Sequence, residues 1–171
     1  VAGGHKAQFS LAGAGFMYAG DEMIRAITPP YAAKFSFTSN DRMQATPELA
    51  PDAHRFEYGN PNFLGIWVQR HSAEYLKEIG LANIEQRVCE LTTYLIERAE
   101  ALSLDVRTPR PWNERAGIVS FKLPGDPEVT ATRLREERII CSVKDGYIRT
   151  ATHFYNTKEE LDRFLSAITA K

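Results

Sequence analysis

The chain has 171 residues, 43% of them hydrophobic and 25% charged, and a formal net charge of −1. That length can bury one respectable core, about 70% of the unfolded surface, while balanced charge with no Lys/Arg run argues against nucleic acid or an acidic membrane as partner. No run of apolar residues is long enough to span a bilayer, and Cys89 and Cys141, in separate predicted elements, suggest neither a disulfide framework nor a metal site, so a cytoplasmic setting is expected.

In chain order, Gly13-Ala14-Gly15-Phe16-Met17-Tyr18-Ala19 reads as a buried strand after a flexible turn. Asp21 is expected to cap a short helix, Glu22 to Ala26, that Pro29-Pro30 stops. From Tyr31 to Gly59 the chain is irregular, and a stretch of that length inside a compact domain is often functional, so an active-site or subunit-contact loop is expected. The spacing predicts a helix from Asn62 to Ile79, with Phe63, Ile66, Trp67, Ala73 and Leu76 on one side and Gly80 as its stop. Ile84, Val88, Leu91, Leu95, Ala99 and Leu102 sustain a second helical stripe. Arg107, Arg110 and Arg115 are spread through a proline-containing loop and read as a solvated turn. A strand at Ile118 to Leu123, a helix at Pro127 to Glu137, a strand at Ile139 to Val143, a hairpin-like turn at Asp145-Gly146 and a strand at Ile148 to Ala151 follow. Thr157-Lys158-Glu159-Glu160 has the capping-box pattern and opens a last helix that buries Leu161, Phe164, Leu165 and Ile168. Residues 61–171 therefore read as a small α+β domain, with helices over a mainly antiparallel sheet. Residues 1–60 hold too few elements to make a core of their own.

Three segments could carry chemistry. In Gly3-Gly4-His5-Lys6 the amine of Lys6 could attack an aldehyde if it is neutral, well below the usual lysine pKa of about 10.4, and the glycines let a ring approach the backbone. His5 reads equally as a ligand contact or as a hydrogen bond that shapes the turn. Phe56-Glu57-Tyr58-Gly59-Asn60-Pro61-Asn62 leads into a helix start, where free N–H groups favour an anion. Its local reading is Asn60 as cap and Pro61 as first-turn residue. Arg55 and Glu57 either pair with each other or organise the loop. The third segment, Gly146 to Asp162, puts Arg149 on a short buried strand, then a polar turn, then a capped helix. A guanidinium held this way offers paired donors to a carboxylate; the alternative is a salt bridge to Asp145 or Glu137. His153, Tyr155 and Asn156 are expected to shape the turn and cap the helix.

Gly146 to Asp162 resembles the C-terminal substrate-binding motif of class V aminotransferases, the pyridoxal-phosphate family that includes cysteine desulfurases, kynureninases and isopenicillin N epimerase-like proteins. Gly3 to Lys6 resembles that family's cofactor-lysine motif. Phe56 to Asn62 resembles the segment whose glycine–threonine pair reaches the cofactor phosphate of the neighbouring subunit, with Asn60 standing for the threonine. The resemblance implies an α/β fold-type I enzyme of which this chain is the later portion. Residues 1–60 would be the end of the cofactor domain with an active-site or subunit-contact loop, and residues 61–171 the small C-terminal α+β domain. It implies pyridoxal 5'-phosphate bound by Lys6 as a Schiff base, with His5, Gly59 and Asn60 as further contacts and no metal. Arg149 would hold the carboxylate of an amino-acid substrate, and the enzyme would be a homodimer with shared active sites. The family's ring-nitrogen aspartate and most phosphate contacts precede the lysine, so a missing N-terminal portion is implied and this chain alone is expected to be inactive. Transamination, elimination by a C–S lyase or kynureninase-like enzyme, and racemisation or epimerisation stay open. Desulfurases of the family need a thiol on a mobile loop; Cys89 on a helix and Cys141 in a strand read as inert, which disfavours a protein-persulfide route. A non-catalytic stand-alone domain or structural subunit is the alternative class.

Overall fold

The computed structural model describes residues 1–39 and 46–170. The chain divides into two compact units, Val1–Glu78 and Ile79–Lys171, where the sequence reading divides it at residues 60/61.

The second unit carries the core. Its sheet has the order β3-β4-β6-β5, antiparallel at every pairing, from β3 (Asp105–Val106), β4 (Ile118–Lys122), β5 (Ser142–Lys144) and β6 (Tyr147–Ala151). Alternation along these strands sends Val119, Phe121 and Ile148 to one face, where all three are fully buried. Residues of α3 (Leu81–Ala101), α4 (Pro127–Glu136) and α5 (Lys158–Thr169) meet them: Leu91, Leu95 and Ala99, then Ala131 and Leu134, then Leu161, Phe164 and Leu165. The α+β reading of this half is therefore the observed one. Ile168 is only partly buried, and Ala167 takes the fourth buried place on α5.

Two local signals act as their chemistry requires. Asp145 and Gly146 have φ of 53° and 78°, the positive pair that a two-residue hairpin loop needs. Thr157 accepts from the Glu160 N–H at 3.3 Å while the Glu160 carboxylate accepts from the Thr157 N–H at 3.0 Å. Thr157→Ala should cost about 1 kcal/mol of stability in chemical denaturation. The Glu160 carboxyl lies below its ordinary value near 4.5, first because the Asn156 amide donates to it and then because the Thr157 N–H does. A depressed pKa gives stability that is whole above the ordinary value and is lost as pH falls through the depressed one. The stability gap between wild type and Glu160→Gln should therefore close on acidification below about pH 4.5.

Two expectations for this half need correction. The strand read at Ile139 to Val143 is only Ser142–Lys144. Arg138 turns left-handed, at φ 60°, and the Ile139 N–H still bonds back to Leu134 O, so Ile139 and Ile140 finish the helix exit. Nor are the loop arginines simply solvated. Arg115 donates to the hydroxyls of Thr92 and Thr93, and Arg110 pairs with Glu100.

The first unit consists of β1 (Ala2–Gly3) paired antiparallel with β2 (Gly15–Phe16), α1 (Asp21–Ala26), a 3₁₀ turn (Ala53–Phe56) and α2 (Phe63–Ile79). The strand expected over Gly13 to Ala19 shrinks to two exposed residues, and Met17 and Tyr18 are exposed as well, because among the described residues this unit offers no second layer to cover them. Asp21 does not cap α1; Gly20 occupies that place and Asp21 is the first helical residue. On α2 only Gly65 and Leu76 are buried, while Phe63, Ile66 and Trp67 are more than half exposed. Part of the irregular stretch lies at residues 40–45, outside the described residues. The rest is ordered by the fully buried Ser36, whose hydroxyl donates to Glu57 O at 2.8 Å and accepts from the Ala33 N–H.

Candidate functional site

In the first unit the lysine-bearing turn leaves β1, and its backbone is pinned on α2. Gln69 donates to the Gln8 side chain at 2.7 Å, Ser72 donates to Phe9 O at 3.0 Å, and the Lys6 carbonyl accepts from the Phe9 N–H at 3.1 Å. Gly4 is buried beneath the turn; a Cβ there would fall 1.7 Å from Gln69 Oε1, so only glycine fits. That oxygen is buried without a hydrogen bond. His5 and Lys6 are exposed, and their side chains make no hydrogen bond among the described residues. A rigid turn thus presents a free amine on a short lever.

Gly59 lines a cavity of about 520 Å³ with the Gly13–Met17 segment, Tyr58, Asn62 and Gln69, a size ordinary for small-ligand sites. Nothing lies within 4 Å of the place a Gly59 Cβ would take, so its backbone is open to a ligand. Asn60 is exposed and is not the helix cap. Asn62 caps instead, its side-chain oxygen accepting from the Gly65 N–H at 3.0 Å, and the helix begins at Phe63 rather than Pro61. Lys6, His5 and Asn60 do not line this cavity. Arg55 settles its alternatives in favour of organising the loop: it donates to Ala50 O and Ile24 O and does not pair with Glu57.

In the second unit Arg149 stands on β6 between Ser120 of β4 and Ser142 of β5. Its neighbour Ile148 points into the core, so Arg149 projects from the opposite face, which no helix of this unit covers. The sequence suggested a short buried strand; in the structure only Ile148 of β6 is buried, and Arg149 is half-buried. The guanidinium makes no hydrogen bond or ion pair among the described residues: Glu137 pairs with Arg133 at 3.6 Å, and Asp145 forms the hairpin turn. Behind it, Asn156 accepts from the His153 N–H at 2.8 Å and donates to Glu160, and His153 stacks on Tyr155 with ring centroids 5.2 Å apart. These three residues shape the turn as expected. Tyr147, Lys122 and Lys144 share the open face; Tyr147 follows from alternation along β6, while the β4–β6 register brings Lys122 and the β5–β6 register Lys144 to Arg149.

Both cysteines are free thiols of intermediate exposure. Burial pushes the Cys141 thiol up, against nucleophilic use. The β5–β6 connection is only Asp145-Gly146, which leaves no cysteine-bearing loop there. Among the described residues no His/Cys/Asp/Glu group is arranged to hold a metal, and no helix is long and apolar enough to cross a membrane.

Comparison with known proteins adds an independent line. The family model described as Aminotransferase class-V matches residues 1–164. An uncharacterized aminotransferase, YcbU, of Bacillus subtilis is 28% identical over 100% of this chain and 45% of its own length. A probable cysteine desulfurase of Pyrococcus abyssi is 28% identical over 96% of the chain and 44% of its own length. Among solved structures, the apo cysteine desulfurase of Thermococcus onnurineus NA1 superposes with a TM-score of 0.86 at 28% identity, covering 96% of this chain and 44% of that one. The cystine C-S lyase C-DES, solved with its product cysteine persulfide, has a TM-score of 0.87 at 24% identity over 97% of this chain and 44% of that one, a likeness of fold. This chain thus spans under half the length of the relatives it matches.

Proposed function

We propose that this chain, which belongs to the class V aminotransferase family, forms part of a pyridoxal-phosphate enzyme that transforms an amino acid. The fold is that of the fold-type I enzymes. The observation that carries the reading is the unpartnered Arg149 guanidinium on a central strand, a two-pronged donor with no acid to satisfy it among the described residues.

The residues present fit the cofactor chemically. Lys6 supplies an amine for its aldehyde, and the open Gly59 N–H with the Asn60 amide supplies donors for its phosphate. Lys6 does not line the cavity that Gly59 lines, which is compatible with Gly59 and Asn60 serving the cofactor of the other subunit in a homodimer. When bound, pyridoxal phosphate supplies the electron sink that lets a bond at the substrate's α-carbon break. Lys6 holds the cofactor and moves the proton at that carbon, as a general base on a turn rigid enough to keep its reach constant. Arg149 would take the α-carboxylate and so fix the orientation of the substrate. His5, beside the lysine, is read as a contact of the cofactor's edge.

Two features support membership of a larger enzyme over a stand-alone domain. The chain spans under half its relatives' length, and the first unit leaves Phe16, Tyr18, Phe63, Leu64 and Trp67 exposed. The elevated Cys141 thiol and two-residue hairpin favour a reaction without a protein persulfide. Free thiols fit a cytoplasmic setting.

The test is covalent trapping. The complete enzyme, loaded with pyridoxal phosphate and reduced with borohydride, should carry the cofactor's mass on the peptide containing Lys6, and Lys6→Ala should lose both that mass and the lysine-bound absorbance band. Cofactor trapped on another lysine, or an unchanged band in the variant, removes Lys6 from this role.

A further inference from the structure

The open face that carries Arg149 holds two more cations at defined places. Phe121 pairs with Ile148, so Lys122 stands beside Tyr147 on one side; Lys144 pairs with Tyr147 on the other. Arg149 lies two residues along the same strand and projects from the same face. Lys122 and Lys144 are thus its diagonal neighbours across the sheet, at a separation of about 7–8 Å that long side chains easily bridge. Both lysines are exposed. The Lys122 ammonium sits 5.3 Å from the centre of the Tyr147 ring and is steadied by Gly146 O at 3.5 Å. Lys144 has no partner among the described residues. The acid on the neighbouring strand, Asp105, stands opposite Lys122 in the register and also faces Arg107 at 3.7 Å, so two cations share it.

Among the described residues Arg107, Lys122, Lys144 and Arg149 thus share one acid, Asp105, around one tyrosine, and a merely solvated sheet face gains nothing from that excess, since like charges at this spacing repel. A ligand with two anionic groups at the span of a short dicarboxylate relieves that repulsion. We infer that this face takes an amino acid with an acidic side chain, its α-carboxylate on Arg149 and its second carboxylate between Lys122 and Lys144. The inference rests on the carboxylate role proposed for Arg149 and adds the substrate class. Tyr147 forms the floor between the two anionic positions, its ring held by the Lys122 and Arg107 cations from the β4 side and the β3 side.

The test is a methyl-NMR titration of the complete enzyme with glutarate, butyrate and sulfate at constant ionic strength. Glutarate should bind about five-fold more tightly than butyrate, the gain expected of exposed charge contacts. The Lys122→Gln/Lys144→Gln double variant should erase that preference and leave butyrate unchanged. Equal affinity for glutarate and butyrate overturns the inference, as does a preference that survives the double variant. Sulfate matching glutarate would show diffuse attraction to a basic surface and overturn it too, and so would the absence of any saturable shift. Arg149→Gln should weaken both carboxylates. If it weakens neither, the carboxylate role of Arg149 itself fails, an outcome distinct from loss of the glutarate preference alone.

Discussion

Phe121→Ala should lower the unfolding free energy of the Ile79–Lys171 unit by about 4 kcal/mol. The side chain is fully buried, its ring lies against Phe164 with centroids 5.5 Å apart, and it sits on β4, the strand that pairs with both β3 and β6. Truncation removes the transfer energy of a large apolar group and leaves a void that three helices and a sheet cannot collapse to fill. A unit of this size is stable by only about 5–10 kcal/mol, so the loss consumes a large part of the margin. Trp112 lies in the same unit and Trp67 in the other, so Trp112 fluorescence in a Trp67→Phe background isolates the relevant transition in urea. Ser142→Ala, on the open face, is the control and should stay within about 0.5 kcal/mol of wild type. A loss below about 1 kcal/mol for Phe121→Ala would mean the sheet and helices do not share one core.

What can be read from the amino-acid order follows the range of the interaction responsible. The α3 stripe, the Asp145-Gly146 hairpin and the Thr157 capping box are set by residues close to each other in the chain; the hairpin and the box stand as expected, and the stripe holds through Leu91, Leu95 and Ala99 but not at Leu102, which caps the helix and is exposed. The errors sit where a local preference competes with something farther off. Ile139 and Ile140 have strand composition, yet the left-handed Arg138 keeps them tied to the end of α4. Phe63, Ile66 and Trp67 form a real apolar face, but periodicity cannot say whether anything covers it, and all three stay more than half exposed. Asn60 and Asn62 are chemically alike, and the choice of cap depends on where Pro61 lets the helix begin. For the candidate site, Lys6 and Arg149 are visible as residue types in a familiar order. The unpaired state of the guanidinium, the pinning of the lysine turn by Gln69 and Ser72, and the Lys122–Tyr147–Lys144 row depend on residues brought together from separate elements. Local sequence does not encode those.

Arg149→Ala should separate function from stability more sharply than any other single change in this chain. Deleting the guanidinium breaks no ion pair or hydrogen bond among the described residues, so the denaturation midpoint should shift by no more than about 0.5 kcal/mol in free energy. Catalysis should respond far more strongly, because the variant leaves a substrate carboxylate without its two-pronged donor. Truncating one partner of such a pair costs about 2–5 kcal/mol, which at about 1.4 kcal/mol per decade lowers kcat/KM of the complete enzyme by roughly 30- to 3,000-fold. Arg149→Lys distinguishes charge from geometry: a lysine restores the positive charge but offers a point donor in place of parallel N–H groups, so it should recover only part of the loss. Because β6 is held on both sides by β4 and β5, the strand itself cannot move to compensate for the shorter reach. If Arg149→Ala keeps kcat/KM within a few-fold of wild type, the carboxylate is bound elsewhere. If it unfolds the domain instead, the guanidinium has a structural partner and is not free for a ligand.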